Sequence, residues 1–422
     1  MKRLLALALI FFLPLTAFAS MQVILNQTGG ALSTGQHFTP IGSSANLAAS
    51  QHVITSTFPV SGTVSNLQVT LVTAPGAAVG YNFGFFYQTA TSSLVCSIIG
   101  ASATTCSDFT DTVSVVAGQD AQIVDSPVGS PTGSIASYSF DFTPANSGDT
   151  IVVSAGSIPT TAAGYWYFPA GGSARSSASS TEAISYLIPF AEGGTLDQFY
   201  FEQQQNNPTG GATTTLRVNS ATTTVTLSLT GTTKSGNDTT HSAAISTGQT
   251  ADLVQVITNA YGSSDIFGFG LRFTATNPGD FPLSYSSDGQ QDSTNATRFI
   301  QTQGGTAPTA TESSAQEVTD AMNITALTVN LYTTPLTSKT FTLRDNGANT
   351  SLGCTVTNPA TTCSATGFVH VNRGDLLDTA DVPSGTAGAS YLSISYIANT
   401  NPTAATQRNT LLGWIKLFLS SI

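Results

Sequence analysis

Charge is what this chain has least of. Of its 422 residues only 8% are Asp, Glu, Lys or Arg, against about 25% in an ordinary soluble protein. Disordered chains are charge-rich and poor in β-branched residues, and this composition is the reverse, which excludes disorder. Basic residues are the scarcest: 12 Lys and Arg face 23 Asp and Glu. A chain of that sign repels phosphates, so nucleic acid is not an expected partner. There is no Gly-x-y period, which excludes collagen. Beyond the first residues no run reaches the roughly 18 apolar residues of a membrane span. Histidine and cysteine number four each, too few for a metal-rich or disulfide-dense scaffold.

What is present begins with a leader. Residues 1–19 read as a secretory signal peptide: Lys2 and Arg3, then an apolar stretch from Leu4 to Leu15, then Ala17-Phe18-Ala19 as the small-x-small cleavage pattern. Its removal takes two positive charges and leaves 10 basic against 23 acidic residues. The expected location is secreted or at the cell surface. In an oxidising compartment Cys96 with Cys106 and Cys354 with Cys363 are expected to form disulfides within each close pair. Zinc ligation would want C-x-x-C spacing or a nearby His, and neither pair has it.

Three copies of one pattern follow. Val64, Leu67 and Val69 match Leu196, Phe199 and Phe201 at a shift of 132, and Ile324, Leu327 and Val329 at 260. Thr215-Leu216-Arg217 parallels Thr342-Leu343-Arg344 at 127, and that shift puts Leu227 where Cys354 stands. The middle copy thus replaces the cysteine pair with Leu227 and Gly236, which makes the pair an accessory staple. Each block alternates apolar and polar residues, the period of a half-buried strand. The expected fold is all-β: three tandem jelly-roll-like β-sandwich domains of about 130 residues, with an immunoglobulin-type sandwich as the alternative. Expected bounds are 20–155, 156–288 and 289–403, with a hydrophobic strand or tail over 404–422.

A Gly-Thr-x-x-x-Leu strand, a Leu-Arg-x-Asn-Gly hairpin, a Cys…Cys loop and a Gly-Asp turn recur in that order. The order resembles the jelly-roll modules of secreted bacterial surface proteins and phage structural proteins, and is loosely similar to exosporium glycoprotein heads. The resemblance implies trimerisation, surface display or adhesion rather than catalysis. The middle copy departs from it, with Gly248-Gln249 where the third has Gly374-Asp375.

No motif carries chemistry. His37, His52, His241 and His370 are scattered and form no ligand cluster, and no G-x-S-x-G elbow occurs. Glu202 reads as a solvated strand end. Arg373-Gly374-Asp375 reads as a turn whose glycine recurs at Gly118 and Gly248. Asp108, Asp111, Asp345 and Asp375 lack the spacing of a calcium loop. No catalytic residue, metal or cofactor is expected. Phe86, expected to point outward, and the aromatic run at Tyr165 and Trp166 are candidate sugar platforms. Trp414, Ile415, Leu417, Phe418 and Leu419 lie where a fourth copy would open, and that surplus strand is expected to dock in another subunit, to fold back or to form a short helix. The expected function is an exported structural or adhesive component of an extracellular surface, appendage or particle, partnered by copies of itself. The alternatives are a carbohydrate-binding array and, third, a secreted hydrolase.

Overall fold

A computed structural model describes residues 21–43, 55–88, 90–158, 163–172, 180–182, 187–204, 211–259, 265–287, 289–293 and 295–400. The leader and the Trp414–Leu419 segment lie outside the described residues. Among the described residues each copy forms nine strands. The first copy has β1 (Gln22–Gln27), β2 (His37–Pro40), β3 (Ser56–Thr57), β4 (Gly62–Leu71), β5 (Gly76–Tyr87), β6 (Ala90–Gly100), β7 (Thr105–Val115), β8 (Asp120–Val128) and β9 (Ala136–Pro144). The second has β10 (Asp149–Ile158), β11 (Gly164–Pro169), β12 (Ile188–Pro189), β13 (Gly194–Gln203), β14 (Ala212–Val218), β15 (Ala221–Leu229), β16 (Ser235–Ile245), β17 (Thr250–Ile257) and β18 (Asp265–Ala275). The third has β19 (Asp280–Ser286), β20 (Arg298–Ile300), β21 (Glu317–Val318), β22 (Met322–Leu331), β23 (Ser338–Asp345), β24 (Ala348–Thr357), β25 (Thr362–Val371), β26 (Leu376–Ser384) and β27 (Leu392–Asn399).

In the first copy one sheet runs β1-β9-β4-β7 and the other β2-β8-β5-β6, with β3 also paired to β8. Adding nine to each label gives the second copy, and adding eighteen gives the third. Eight main strands dealt between two sheets in this order form a jelly roll. The expected all-β fold of three jelly-roll sandwiches is what the chain forms. The apolar positions of both sheets of each sandwich meet in one core, led by Phe83, Phe85, Phe140 and Phe142 in the first. Tight hairpins set the register. Asn219-Ser220 and Asn346-Gly347 hold positive φ at the β14–β15 and β23–β24 turns, as a two-residue I′ turn requires.

The expected breaks at 155/156 and 288/289 run through or beyond β10 and β19. Those strands pair with β18 and β27, so each belongs to the sandwich that follows it.

Both disulfides are present, Cys96–Cys106 and Cys354–Cys363, each joining neighbouring strands. In the middle copy a Cβ added at Gly236 would lie 3.7 Å from Leu227 Cδ1, so the leucine fills the place of the bridge. The double variant Leu227→Cys, Gly236→Cys is therefore expected to oxidise to a third staple. A loop this short gives about 2–3 kcal/mol, read as a raised melting temperature that reduction abolishes.

The sandwiches close into a ring. β3 of the first lies across β18, β10 and β13 of the second. β12 of the second lies across β27, β22 and β19 of the third, and β21 of the third returns across β9, β4 and β1 of the first. Small residues on the outer face of the crossed strand permit this. The Cβ positions of Gly268 and Gly270 would fall 1.8 and 2.0 Å from the carbonyl oxygens of Thr55 and Thr57. At the other junctions serine occupies the face: Ser393 Oγ donates to Leu187 O (2.7 Å), and Ser137 Oγ accepts from Val318 N (3.1 Å).

β1, β10 and β19 gather near the centre, where Gln22 makes two hydrogen bonds to the Ile151 backbone, 2.7 and 2.8 Å. Val23 and Leu25 of β1 pack into the third sandwich's core, and Leu25 N donates to Gln303 Oε1 at 2.8 Å. Each is an edge strand of its sheet, and the ring covers the backbone edge that would otherwise invite aggregation.

Candidate functional site

Every junction of the ring holds a pair of carboxyl groups contributed by two different sandwiches. Glu202 on β13 shares a hydrogen bond with Asp120 at the start of β8, and burial followed by that neighbour pushes it up to about 8. Glu192, before β13, faces Asp280 on β19 and is pushed up to about 7 by burial and then by that contact. Asp141 on β9 faces Asp320, before β22, and is pushed up to about 8 by burial and then by that charge. Burial and a neighbouring carboxyl both disfavour the charged form, so Glu202, Glu192 and Asp141 each hold a proton to higher pH than a free carboxyl does. Arg373 tempers the last pair: its Nε donates to Asp320 at 2.8 Å, and its guanidinium stacks over Phe109 at 4.4 Å. This use accounts for Arg373, while Gly374 at φ 88° makes the turn and Asp375 accepts from Asn372 N at 2.7 Å.

The junction of the first two sandwiches also opens a cleft of about 350 Å³ lined by Thr57, Gly118, Tyr200, Glu202, Ser235 and Asn237. Glu202 is therefore half-buried in a cleft wall and not a solvated strand end. Tyr200 lies beside Gly118, where any Cβ would come within 2.9 Å of its ring. An aromatic ring, a protonated carboxyl and an amide around one cleft form a neutral polar lining, the kind that hydrogen-bonds hydroxyl groups.

A second constellation lies in the first sandwich. Ser33 Oγ is 3.0 Å from His37 Nε2, and His37 Nδ1 is 3.1 Å from Asp125 Oδ2. Asp125 is buried on β8 and pushed up to about 6, burial outweighing the contact with His37. Serine, imidazole and carboxylate in series match the connectivity of an activated nucleophile. Gly35 N, however, donates to Ser33 Oγ itself at 3.3 Å, as in a local turn, and is not aimed beyond it at a developing oxyanion.

The two expected sugar platforms differ in exposure. Phe86 does not point into solvent. It is buried against Phe38, ring centroids 5.3 Å apart, and against Val124. The reason is a repeated device: Arg217 stacks over Tyr167 at 5.1 Å and Arg344 over Phe299 at 5.4 Å in the matching places. The position makes a lid on the outer sheet face whether it is Phe or Arg. Trp166 packs against the second core, and Tyr165 is exposed on the same strand.

Asp108, considered above as a calcium ligand, spends its carboxylate on the N–H groups of Thr110, Asp111 and Val95. Among the described residues no three His, Cys, Asp or Glu side chains gather closely enough to hold a metal ion, and no helix is long and apolar enough to cross a membrane. Sequence reasoning missed the junction carboxyls, whose partners lie far apart in the chain, and the Ser33–His37–Asp125 series, whose carboxylate lies 88 residues from His37. The Ser33-x-x-x-His37 spacing was the one local sign.

No protein-family model matches the chain, and no curated protein matches it. Solved structures are similar to it at low identity. One is "The Triple Jelly Roll Fold and Turret Assembly in an Archaeal Virus", at 12% identity over 80% of this chain and 78% of that one, TM-score 0.15. Another is the infectious bursal disease virus Gx strain, at 10% over 95% and 87%, TM-score 0.18. A third is the CBM22 tandem domain of Paenibacillus barcinonensis Xyn10C, at 11% over 51% and 81%, TM-score 0.15. The jelly-roll assignment rests on the strand order of the chain itself.

Proposed function

We propose that the chain is an exported, non-enzymatic building block of an extracellular surface, appendage or particle, with the closed ring of three jelly rolls as its unit. The ring carries this reading: one polypeptide covers the central sheet edges and leaves outer faces of low charge for contact with neighbours. Weak repulsion between like units favours dense packing, and disulfides suit an oxidising exterior. Light scattering and electron microscopy of the chain lacking residues 1–19 should show concentration-dependent particles without added ligand. A ring that stays single at high concentration, whether or not residues 409–422 are deleted, would remove the assembly claim. An activated ester turned over by the wild type but not by Ser33→Ala would remove the non-enzymatic claim.

The cleft at Tyr200, Glu202 and Asn237 favours a second reading, glycan binding. Binding on a glycan array that Tyr200→Ala abolishes, with the melting temperature kept, would establish it. Binding unaffected by Tyr200→Ala would rule out this cleft.

A further inference from the structure

Lys339 points from β23 into the third sandwich with none of its side chain exposed. Its Nζ donates to the carboxylate of Asp292 and to Ser293 O at 3.0 Å, and an oxygen of Asp381 lies 3.5 Å away. Both carboxyl side chains are also fully buried. Burial first, and Asp292 after it, push Asp381 up to about 8 against the pull of Lys339. Its Oδ1 accepts no hydrogen bond among the described residues. Asp292 sits between β19 and β20 and is pinned on both sides. Ser390 N donates to Asp292 Oδ1 at 2.7 Å, and Asp292 N donates to Ser390 O at 3.0 Å.

An amine, a held carboxyl and a protonated neighbour thus meet where water is excluded. A buried ion pair bears a desolvation cost that a neutral amide does not. We propose that Lys339 Nζ and Asp292 Cγ condense into an intramolecular amide cross-link, with Asp381 as the proton carrier.

In the step, the ammonium first gives a proton to Asp292, leaving a neutral amine and a neutral carboxyl. The Nζ lone pair forms the bond to Cγ, and the carbonyl π pair moves to Oδ1, where the Ser390 N–H receives it. Asp381 takes a proton from nitrogen and delivers one to Oδ2. The Cγ–Oδ2 bond breaks, water leaves, and the carbonyl re-forms. One ammonium and one carboxylate become one amide and one water, with Asp381 restored and no oxidant, reductant or other reactant needed.

The triad belongs to the third sandwich alone. By pairing register Tyr81 and Ala212 stand where Lys339 does, and Asp125 and Gln255 where Asp381 does. The cross-link would tie the β19–β20 connection to β23 independently of the Cys354–Cys363 bridge.

The test is the intact mass of the whole chain after its disulfides are reduced. The wild type is expected to be one water lighter than its sequence, and a protease digest to contain a branched peptide joining Lys339 to Asp292. Asp381→Ala, which retains both linked residues, should give the full mass while circular dichroism still reports a folded β protein. A folded wild type of full sequence mass would overturn the proposal, as would a missing water that persists in Lys339→Met.

Discussion

Gly268→Val is expected to open the ring between its first two sandwiches. The Cβ position lies 1.8 Å from Thr55 O, a backbone atom immediately before β3. Contacts under about 3 Å force a shift, and here the rotamer of a flexible side chain cannot supply it. Either β3 lifts off β18 or β18 buckles in the second core. Overpacking of this kind commonly costs 1–3 kcal/mol, occasionally more, and Gly270→Val should behave alike because Thr57 O stands 2.0 Å away. Limited proteolysis should then cleave near residues 55–59 at least tenfold faster than in the wild type. Gly248→Ala, with nothing near its Cβ but a φ of 82°, serves as the control for backbone strain alone. Equal protease resistance in Gly268→Val and the wild type would disprove the packing of β3 on β18.

The second large effect is on acid stability. Asp141 and Glu202 are pushed up to about 8 and Glu192 to about 7, against about 4 in an unfolded chain. The folded ring therefore binds more protons than the unfolded chain between about pH 4 and pH 8. Stability must fall as pH rises through that window, be fully present below it and level off above it. Each unit of displacement is worth about 1.4 kcal/mol for a well-buried group, and less for Glu202, which is only half-buried. Asp238 works the other way. Against the cost of burial, the N–H groups of Thr226 and Thr240, the Thr240 hydroxyl and His241 hold it down at about 2. Its contribution is lost as pH falls from about 4 toward 2. The melting temperature should therefore peak near pH 4 and drop by several degrees by pH 8. Asp141→Asn with Glu202→Gln should remove part of the slope, the rest staying with other buried carboxyls such as Asp252, Asp378 and Asp381, and a wild type that grows more stable from pH 4 to pH 8 would contradict the raised carboxyls.

How much of this was legible depended on whether a residue's environment was local. The staples were, because Cys96, Leu227 and Cys354 fall at one place in the repeat. The sandwich strands were, because one face of each is dry and the other wet. β1, β10 and β19 were not. Their residues are buried on both faces at the ring's centre, so Asp149-Thr150-Ile151-Val152-Val153 shows no period of two, and the boundaries slid past these strands. Phe86 misled for the related reason that its outer sheet face is roofed by Phe38. The small-aromatic alternation of Phe267-Gly268-Phe269-Gly270 was visible as a strand. What demands the glycines, a backbone some 200 residues earlier, was not. The junction carboxyls and the Lys339 triad likewise join distant segments, and no spacing rule reaches them.

Covalent continuity through the ring has a consequence for how such units can be arranged. A trimer of separate subunits dissociates on dilution, whereas tethered copies see one another at a fixed effective concentration, about millimolar for short linkers. The ring closes in a single molecule at any protein level. Threefold symmetry is also released: Tyr81, Ala212 and Lys339 occupy one place in the repeat, a freedom that identical subunits do not have. Exposed positions differ as well, Ile99 in the first sandwich standing where Thr230 and Thr357 stand in the others, so a neighbour can tell one outward face from the next. Stacked or tiled units would then hold a defined azimuth, giving the assembly a polarity that a symmetric trimer could not encode.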